Sequence, residues 1–373
     1  MALFGNISQL FSKKSQSVLG IDIGSSSIKI AQLKKKGGKA ILETYGELAL
    51  GPYAGTEIGR ATNLGADKII EALRDVLKEA NTTTKTCGIA IPFASSLMTV
   101  MEMPALPQKQ LAPMIPIEAR KYIPVPISEV LLDWWIIPKS DAPIDDDPDK
   151  PVEEKKGDKL DVLVVAIHND VINKYQQIVQ ATGLDASFLE IEIFSTIRSV
   201  IEQEVAPIMI FDMGAAGTKL YIIERGVIRS SHTVNRGSQE ITLALAQAFN
   251  VTVANAEVMK RDYRAGSQEG DTAKVGEIIA ITVEYIFSEA NRVLFNYQRK
   301  YNKNISKVVL VGGGVKVNGF LDMAKKSLQT DVVLGDPFSK TEAPAFLEEM
   351  LHQTGPEFAV SIGIALRRLS ELE

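Results

Sequence analysis

Cysteine is almost absent: Cys87 is the single one in 373 residues. That excludes an intrachain disulfide and a cysteine-cluster metal site, and it fits a reducing compartment. Histidine is nearly as scarce, with three in the chain, which argues against a His-rich metal centre. No apolar run approaches the ~20 residues needed to cross a bilayer. Basic charge is not in excess either. The formal net charge is -5, so bulk charge supplies no footprint for nucleic acid. What remains is an ordinary globular composition, 45% hydrophobic and 23% charged. The chain is long enough for two domains or one large bilobal unit.

Two segments stand apart. Residues 1–16 read as a leader, in which Leu3, Phe4, Ile7, Leu10 and Phe11 fall at helical spacing and Lys13 and Lys14 follow. A signal peptide would place its basic residues first and then an unbroken apolar run, so this is not one. A short amphipathic helix touching a membrane surface or a partner has this pattern. The preferred reading is a leader that packs on its own domain or frays. Residues 138–159 are rich in Asp, Pro, Lys and Glu and poor in apolar residues. That predicts a solvated, mobile surface loop with no chemistry.

An internal repeat organises the rest. Val18-Leu19-Gly20-Ile21-Asp22-Ile23-Gly24 reads as a buried strand ending in a tight turn, followed by strands at 28–33 and 40–48 around Gly37-Gly38. Ile208-Met209-Ile210-Phe211-Asp212-Met213-Gly214 starts the same pattern, with strands at 219–224 and 227–234 around Arg225-Gly226. Asp, Gly and Lys stand at 22, 24 and 29, and again at 212, 214 and 219. Three chemically distinct residues in register predict two copies of one β-meander, facing each other as two lobes. Between the copies, residues 67–80 and 171–181 have helical spacing, and 87–91, 96–103 and 161–167 read as strands. Residues 108–122 read as a helix weakened by Pro113 and Pro116. Further on, helices are expected at 239–249, 256–263, 276–301, 320–328 and 358–369, and a buried strand at 308–311. Gly363 inside the last helix predicts close approach of another backbone, since a mid-helix glycine costs about 1 kcal/mol relative to alanine.

The first loop, Asp22-Ile23-Gly24-Ser25-Ser26-Ser27, turns backbone N–H groups into an anion-binding concavity. Gly24 lets a phosphate come close, the serines add hydroxyl donors, and Lys29 neutralises phosphate charge. Asp22 is suited to the water shell of Mg²⁺, which uses few protein carboxylates. The second loop, Asp212-Met213-Gly214-Ala215-Ala216-Gly217-Thr218, supplies the same elements: an acid, close-approach glycines and a Thr hydroxyl. A structural turn explains either loop alone but explains the pair in register poorly. Together they can clamp a triphosphate. The third element is Gly312-Gly313-Gly314 between a strand and a helix, a flat surface for a purine or ribose. It is no Walker loop, because G-K-[ST] does not follow, and it lacks the dinucleotide spacing.

This order of two phosphate loops, a Gly-rich adenosine loop and a C-terminal helix resembles the actin, sugar-kinase and heat-shock-chaperone ATPase superfamily. Within it the chain is most similar to the PilM family of type IV pilus assembly, related to FtsA. The family-specific residues are Glu118-Ala119-Arg120-Lys121-Tyr122-Ile123-Pro124-Val125-Pro126 and Leu132-Asp133-Trp134. Asn235-Arg236-Gly237-Ser238-Gln239-Glu240-Ile241-Thr242 and Phe358-Ala359-Val360-Ser361-Ile362-Gly363 add to the likeness.

The resemblance implies an α/β, actin-like two-lobed fold of duplicated ribonuclease H-like domains with a small inserted α+β subdomain. The first lobe would comprise 17–87, completed by 183–205 and 356–373, and the insertion 88–182. The second lobe would comprise 206–235 and 305–355, with a helical subdomain at 236–304. ATP and Mg²⁺ are the implied cofactors. Asp22, Gly24, Ser25, Ser26, Ser27 and Lys29 would form the first phosphate site. Asp212, Gly214, Gly217 and Thr218 would form the second. Gly312, Gly313 and Gly314 would face the nucleoside, and Glu257 and Lys260 would hold ribose and adenine. The implied partner is the cytoplasmic N-terminal tail of a PilN-like membrane protein, bound beside the insertion, and through it other platform or motor proteins. The implied location is the cytoplasmic face of the inner membrane.

Two other functions share the fold. One is a small-molecule kinase or vigorous ATPase, which needs a base or water-positioning acid. Glu190 and Glu192 lie before the second lobe, and the sequence does not separate them from ordinary carboxylates, so no catalytic residue is assigned. At most a slow ATPase is expected. The other is an FtsA-like filament former. Those carry a C-terminal amphipathic helix after a linker, whereas this sequence ends at Leu369-Ser370-Glu371-Leu372-Glu373.

Overall fold

Ser17–Ile23 forms β1, whose apolar run is buried on both faces. Such a strand belongs inside a sheet. Ser27–Lys36 (β2) and Lys39–Ala49 (β3) extend it as an antiparallel meander. Thr86–Ile91 (β4) and Asp185–Ile191 (β8) join its other side in parallel. The second copy repeats this with Ile208–Met213 (β9), Thr218–Glu224 (β10) and Val227–Val234 (β11), then Lys307–Val311 (β12) and Asp331–Leu334 (β13). The two five-stranded sheets have the same order, β3-β2-β1-β4-β8 and β11-β10-β9-β12-β13. The repeat therefore extends beyond the meander to whole sheets. Of these ten strands, β8 and β13 are the two that the sequence pattern leaves unmarked; the strand at Val130–Ile137 of a third sheet is also unmarked. The computed structural model describes residues 17–137, 159–202, 204–266 and 270–372. The leader at 1–16 and the loop at 138–158 lie outside the described residues, while Lys159 already opens a strand.

Helices cover the sheets through apolar faces. Ala66–Glu79 (α1) buries Ile69, Ile70, Leu73 and Val76 against Leu19 and Ile21 of β1. Each such side chain contributes roughly 2 kcal/mol on leaving water. Asn169–Thr182 (α3) joins the same core through Tyr175 and Ile178. On the second lobe, Ser238–Phe249 (α5), Val253–Asp262 (α6), the long Gly270–Tyr301 (α7) and Phe320–Ser327 (α8) share one core with Phe211 and Leu220. Glu348–Thr354 (α9) lies near the C-terminus.

A third sheet stands apart. Ser96–Pro104 (β5), Val130–Ile137 (β6) and Lys159–His168 (β7) pair in the order β5-β7-β6. Gln108–Ala119 (α2) packs on one face, and its Leu111, Ile115 and Ala119 are fully buried there. That packing holds the helix together despite Pro113 and Pro116, each of which removes a backbone hydrogen bond. The inserted unit is smaller than the division at 88–182. β4 pairs with β1 in the first sheet, and α3 lies on α1, so the separate sheet begins at Ser96 and ends at His168. The reason is burial: β4 is apolar on both faces and fits only a sheet interior.

Glu192–Val200 (α4) and Ala359–Ser370 (α10) pack against each other behind the first sheet. Both approaches of α10 run through glycine. A Cβ at Gly363 would lie 1.9 Å from the Ser195 carbonyl oxygen of α4, and one at Gly20 of β1 would lie 1.8 Å from that of Ser361. The close approach expected at Gly363 is thus made to α4.

Candidate functional site

The two meanders turn their hairpins towards one cavity of about 410 Å³. Each hairpin closes with the same bond. The Gly24 N–H donates to Ser27 O at 3.0 Å, and the Gly214 N–H donates to Gly217 O at 3.0 Å. Each also pairs an acid with a lysine across its strands: Asp22 opposite Lys29, Asp212 opposite Lys219. Side chains alternate along a strand, so fixing the acid on the cavity face fixes the lysine there too.

The charges interlock. Lys29 Nζ donates to Ser27 Oγ at 2.6 Å and pairs with Glu47 at 3.1 Å. Lys219 Nζ lies 2.6 Å from Glu192 Oε1 and 3.4 Å from Asp212 Oδ2. Glu192 also accepts the Phe93 N–H at 2.6 Å. Burial pushes the Asp22 carboxyl up to about 7; Lys29 and Lys219 oppose this, and Glu192 and Asp212 add to it. Burial pulls the Lys29 ammonium down, but Glu47, Glu357 and Asp22 more than offset it and leave it above its usual range. Lys219 follows the same pattern: burial lowers it, and Glu192 with Asp212 carries it well up.

From the second lobe, α6 presents Glu257, Lys260 and Arg261 to the same cavity. Glu257 takes Lys260 at 2.6 Å, Thr242 Oγ1 at 2.7 Å and Arg261 Nε at 2.9 Å. Burial lifts the Glu257 carboxyl, but Lys260, Thr242 and Arg261 outweigh it and leave it below the usual range. Gly312 closes the wall at φ +89°, and a Cβ there would stand 2.6 Å from Asp212 Oδ1. Lys316 pairs with Glu357 beside it.

Most of the residues singled out in the sequence meet here. Asp22, Gly24, Ser25, Ser26, Ser27 and Lys29 line one side of the cavity; Asp212, Gly214, Glu257, Lys260, Gly312 and Gly313 line the other. Three expected residues stand behind the wall. Thr218 occupies the place of Ile28 in the first copy, one residue before the lysine, so alternation turns it to the core. It is fully buried and its Oγ1 donates to Arg236 O at 2.9 Å. Gly217 is the carbonyl end of the hairpin bond, and a Cβ on Gly314 would meet Met213.

Other lining residues are not assigned to the site by the sequence: Glu47, Lys316 and Glu357 carry no mark there, while Glu192 and Lys219 are noted without a role. Lys219 was within reach, because it repeats Lys29 in register. The carboxylates left open in the sequence also separate. Glu192 lines the cavity, whereas Glu190 turns away to Arg198 at 2.8 Å, Arg367 at 2.7 Å and Ser195 Oγ at 2.6 Å.

The lining carries six acids (Asp22, Glu47, Glu192, Asp212, Glu257, Glu357) against five cations (Lys29, Lys219, Lys260, Arg261, Lys316). With Asp22 protonated the two signs balance, and with it ionised the acids lead by one, so a bare polyanion gains no net attraction and the cavity suits an anion that brings a cation with it. Among the described residues no cluster of three or more His, Cys, Asp or Glu could hold a metal. A metal carried mainly by water and ligand oxygens, with one or two carboxylates, fits this donor set.

The sequence model of a family described as type IV pilus assembly protein PilM matches residues 20–369. Among solved structures, a PilM–PilN type IV pilus biogenesis complex superposes with a TM-score of 0.77 at 22% identity, covering 94% of this chain and 98% of that one. The ethanolamine utilization protein EutJ from Carboxydothermus hydrogenoformans gives 0.54 at 15% identity, covering 94% and 89%. MreB 5 of Spiroplasma citri, bound to AMPPNP, gives 0.53 at 8% identity, covering 96% and 98%. These likenesses make the fold actin-like and two-lobed. No helix among the described residues is long and apolar enough to cross a membrane.

Proposed function

Because the chain belongs to the type IV pilus assembly protein PilM family, we propose that it is an ATP-binding scaffold of the inner-membrane pilus platform. In this reading it holds Mg-ATP between its lobes and captures the cytoplasmic N-terminal tail of a PilN-like membrane protein. The observation that carries the nucleotide half is the pair of matching hairpins, Gly24 to Ser27 and Gly214 to Gly217, turned to one cavity. Their N–H groups and serine hydroxyls receive phosphate oxygens. Lys29 and Lys219 take up phosphate charge, and Glu257 and Lys260 lie at the nucleoside end against Gly312 and Gly313. Asp22 and Asp212 hold the water shell of Mg²⁺, which neutralises the phosphates when bound. Thr218, Gly217 and Gly314 support this site from behind. Glu192 lines the cavity beside Asp212, and its commitment to Lys219 and Phe93 fits a slow ATPase at most.

The partner half rests on the inserted sheet. Leu131 and Trp135 of its edge strand β6 remain 56% and 44% exposed, an apolar surface beside the first lobe for an incoming tail. Capture of a membrane protein would hold the chain at the cytoplasmic face of the inner membrane. Titration with the N-terminal peptide of a PilN-like protein encoded nearby, with and without Mg-ATP, tests both halves. Saturable binding of each is expected. Absence of Mg-ATP binding overturns the nucleotide half, and absence of peptide binding under both conditions overturns the scaffold.

A further inference from the structure

One short stretch of chain, residues 57–62, spans the cleft between the lobes. It leaves the first lobe after β3 and touches the second at three points. Glu57 Oε2 accepts the Ala254 N–H, in the first turn of α6, at 2.9 Å. Gly59 sits at φ +100° against Glu257, where a Cβ would stand 2.9 Å from Glu257 Oε2. The Ala61 N–H donates to the side-chain oxygen of Gln239, on α5, at 3.0 Å. The strap then returns to its own lobe at the phosphate loop: Thr62 donates to Ser25 O from its N–H at 2.7 Å and from its Oγ1 at 2.9 Å.

The strap thus ties Ser25 to α5 and α6, and both Ser25 and Glu257 line the cavity. The lobes are already joined covalently, through α4 and through the turn Gly355–Phe358 that leads into α10. Those joins are crossings of the main chain, and the strap adds hydrogen bonds across the cleft. For the lobes to part, the Glu57–Ala254 and Ala61–Gln239 bonds must break. Each is a single hydrogen bond, the first exposed and the second half-buried, strong enough to slow opening and weak enough to yield.

We infer that residues 57–62 are a latch on the cleft, which must unseat before bound nucleotide leaves. This rests on the nucleotide reading proposed above. Phosphate on the 22–27 loop orders Ser25, and a nucleoside beside Glu257 orders α6, so both anchors are strengthened by the ligand. The latch sets the lifetime of the nucleotide-bound scaffold rather than its chemistry.

Release of mant-ATP, measured by stopped-flow chase with excess Mg-ATP, is the test. The double variant Glu57→Ala/Gln239→Ala should release the probe about tenfold faster, the effect of losing hydrogen bonds of this kind. Its urea midpoint should match wild type, because neither side chain belongs to a core. Gly59→Ala, which strains a positive φ and presses on Glu257, should also speed release. Hydrogen exchange on the wild type should show the Ala61 and Ala254 amides gaining protection on Mg-ATP binding. Unchanged release in both variants, or no gain in protection, overturns the latch alone. Failure of the wild type to bind mant-ATP overturns the nucleotide reading and the latch with it.

Discussion

Lys219 Nζ stands 2.6 Å from Glu192 and 3.4 Å from Asp212, so one ammonium serves two carboxylates from different lobes. Asp22, which Lys219 also stabilises, is a third. Lys219→Met keeps the stem of the side chain and removes the charge. Breaking a buried pair by removing one partner costs about 3 kcal/mol. The variant should therefore unfold at clearly lower urea than wild type, and adding Mg²⁺ should restore more stability to it than to wild type. An unchanged urea midpoint would show that Lys219 is not the counter-charge at the cleft floor.

The raised Asp22 carboxyl gives a pH signature in metal-free protein. Its native value is about 7, against 3.8 when exposed. Between those values the folded chain keeps a proton that the unfolded chain has released. The native state binds more protons there, so stability falls as pH rises. Asp22 contributes its full stabilisation below about pH 4 and loses it progressively up to about pH 7. Glu47, Glu190 and Glu257 have lowered values and act with the opposite sign, losing stability as pH falls. Only the difference between wild type and Asp22→Asn isolates the effect. Urea unfolding across this range, with chelator, should show wild type losing stability relative to Asp22→Asn as pH rises. Parallel curves would rule out the protonated carboxyl.

The legible part of this site was local. Asp22 with Lys29 and Asp212 with Lys219 are each seven residues apart, and strand alternation across a tight turn brings them to one face. The duplicated pattern then extended to the sheet order. The same alternation turns the Thr218 hydroxyl to the core: its residue type suits a phosphate donor, but its direction along β10 does not. Glu47 and Glu357 carried no such signal. Glu47 faces Lys29 across β2 and β3, but the bulge at Gln32/Leu33 breaks the simple alternation that would show it, and Glu357 comes from a turn before the last helix, so only tertiary packing brings it near Lys29. The boundary near residue 88 failed for a similar reason. β4 reads as any short apolar strand, and only pairing with β1 assigns it to the first sheet.

Gly363 tests packing against propensity. In an exposed helix, Gly→Ala gains about 1 kcal/mol. Here the new methyl would stand 1.9 Å from Ser195 O, a backbone atom that cannot step aside by a rotamer change. Forcing α4 and α10 apart costs about 3 kcal/mol by comparison with overpacked cores. The clash wins, so Gly363→Ala should destabilise by about 2 kcal/mol, the difference between those estimates. Thermal or urea unfolding measures it. Equal or greater stability would mean that α10 has room to move off α4.

Glu190 and Glu192 have the same chemistry two positions apart, and the fold gives them opposite roles. Glu190 is the shared acceptor of Arg198, Arg367 and Ser195. Glu190→Gln leaves two guanidinium groups short of a counter-charge and should lower stability by about 3 kcal/mol, with nucleotide affinity unchanged in the folded protein. Glu192→Gln keeps an oxygen for the Phe93 N–H but removes one of the six cavity acids beside Lys219. Lys219 is then freer for phosphate, and the cavity is no longer net negative. Nucleotide measured in EDTA should bind more tightly to Glu192→Gln than to wild type, narrowing the gap between affinities with and without Mg²⁺. Isothermal titration under both conditions, beside urea unfolding, separates the two variants. If Glu192→Gln left that gap unchanged, the metal requirement would have to arise from Asp22 and Asp212 alone, and Glu192 would serve only to hold Phe93 and Lys219 in place.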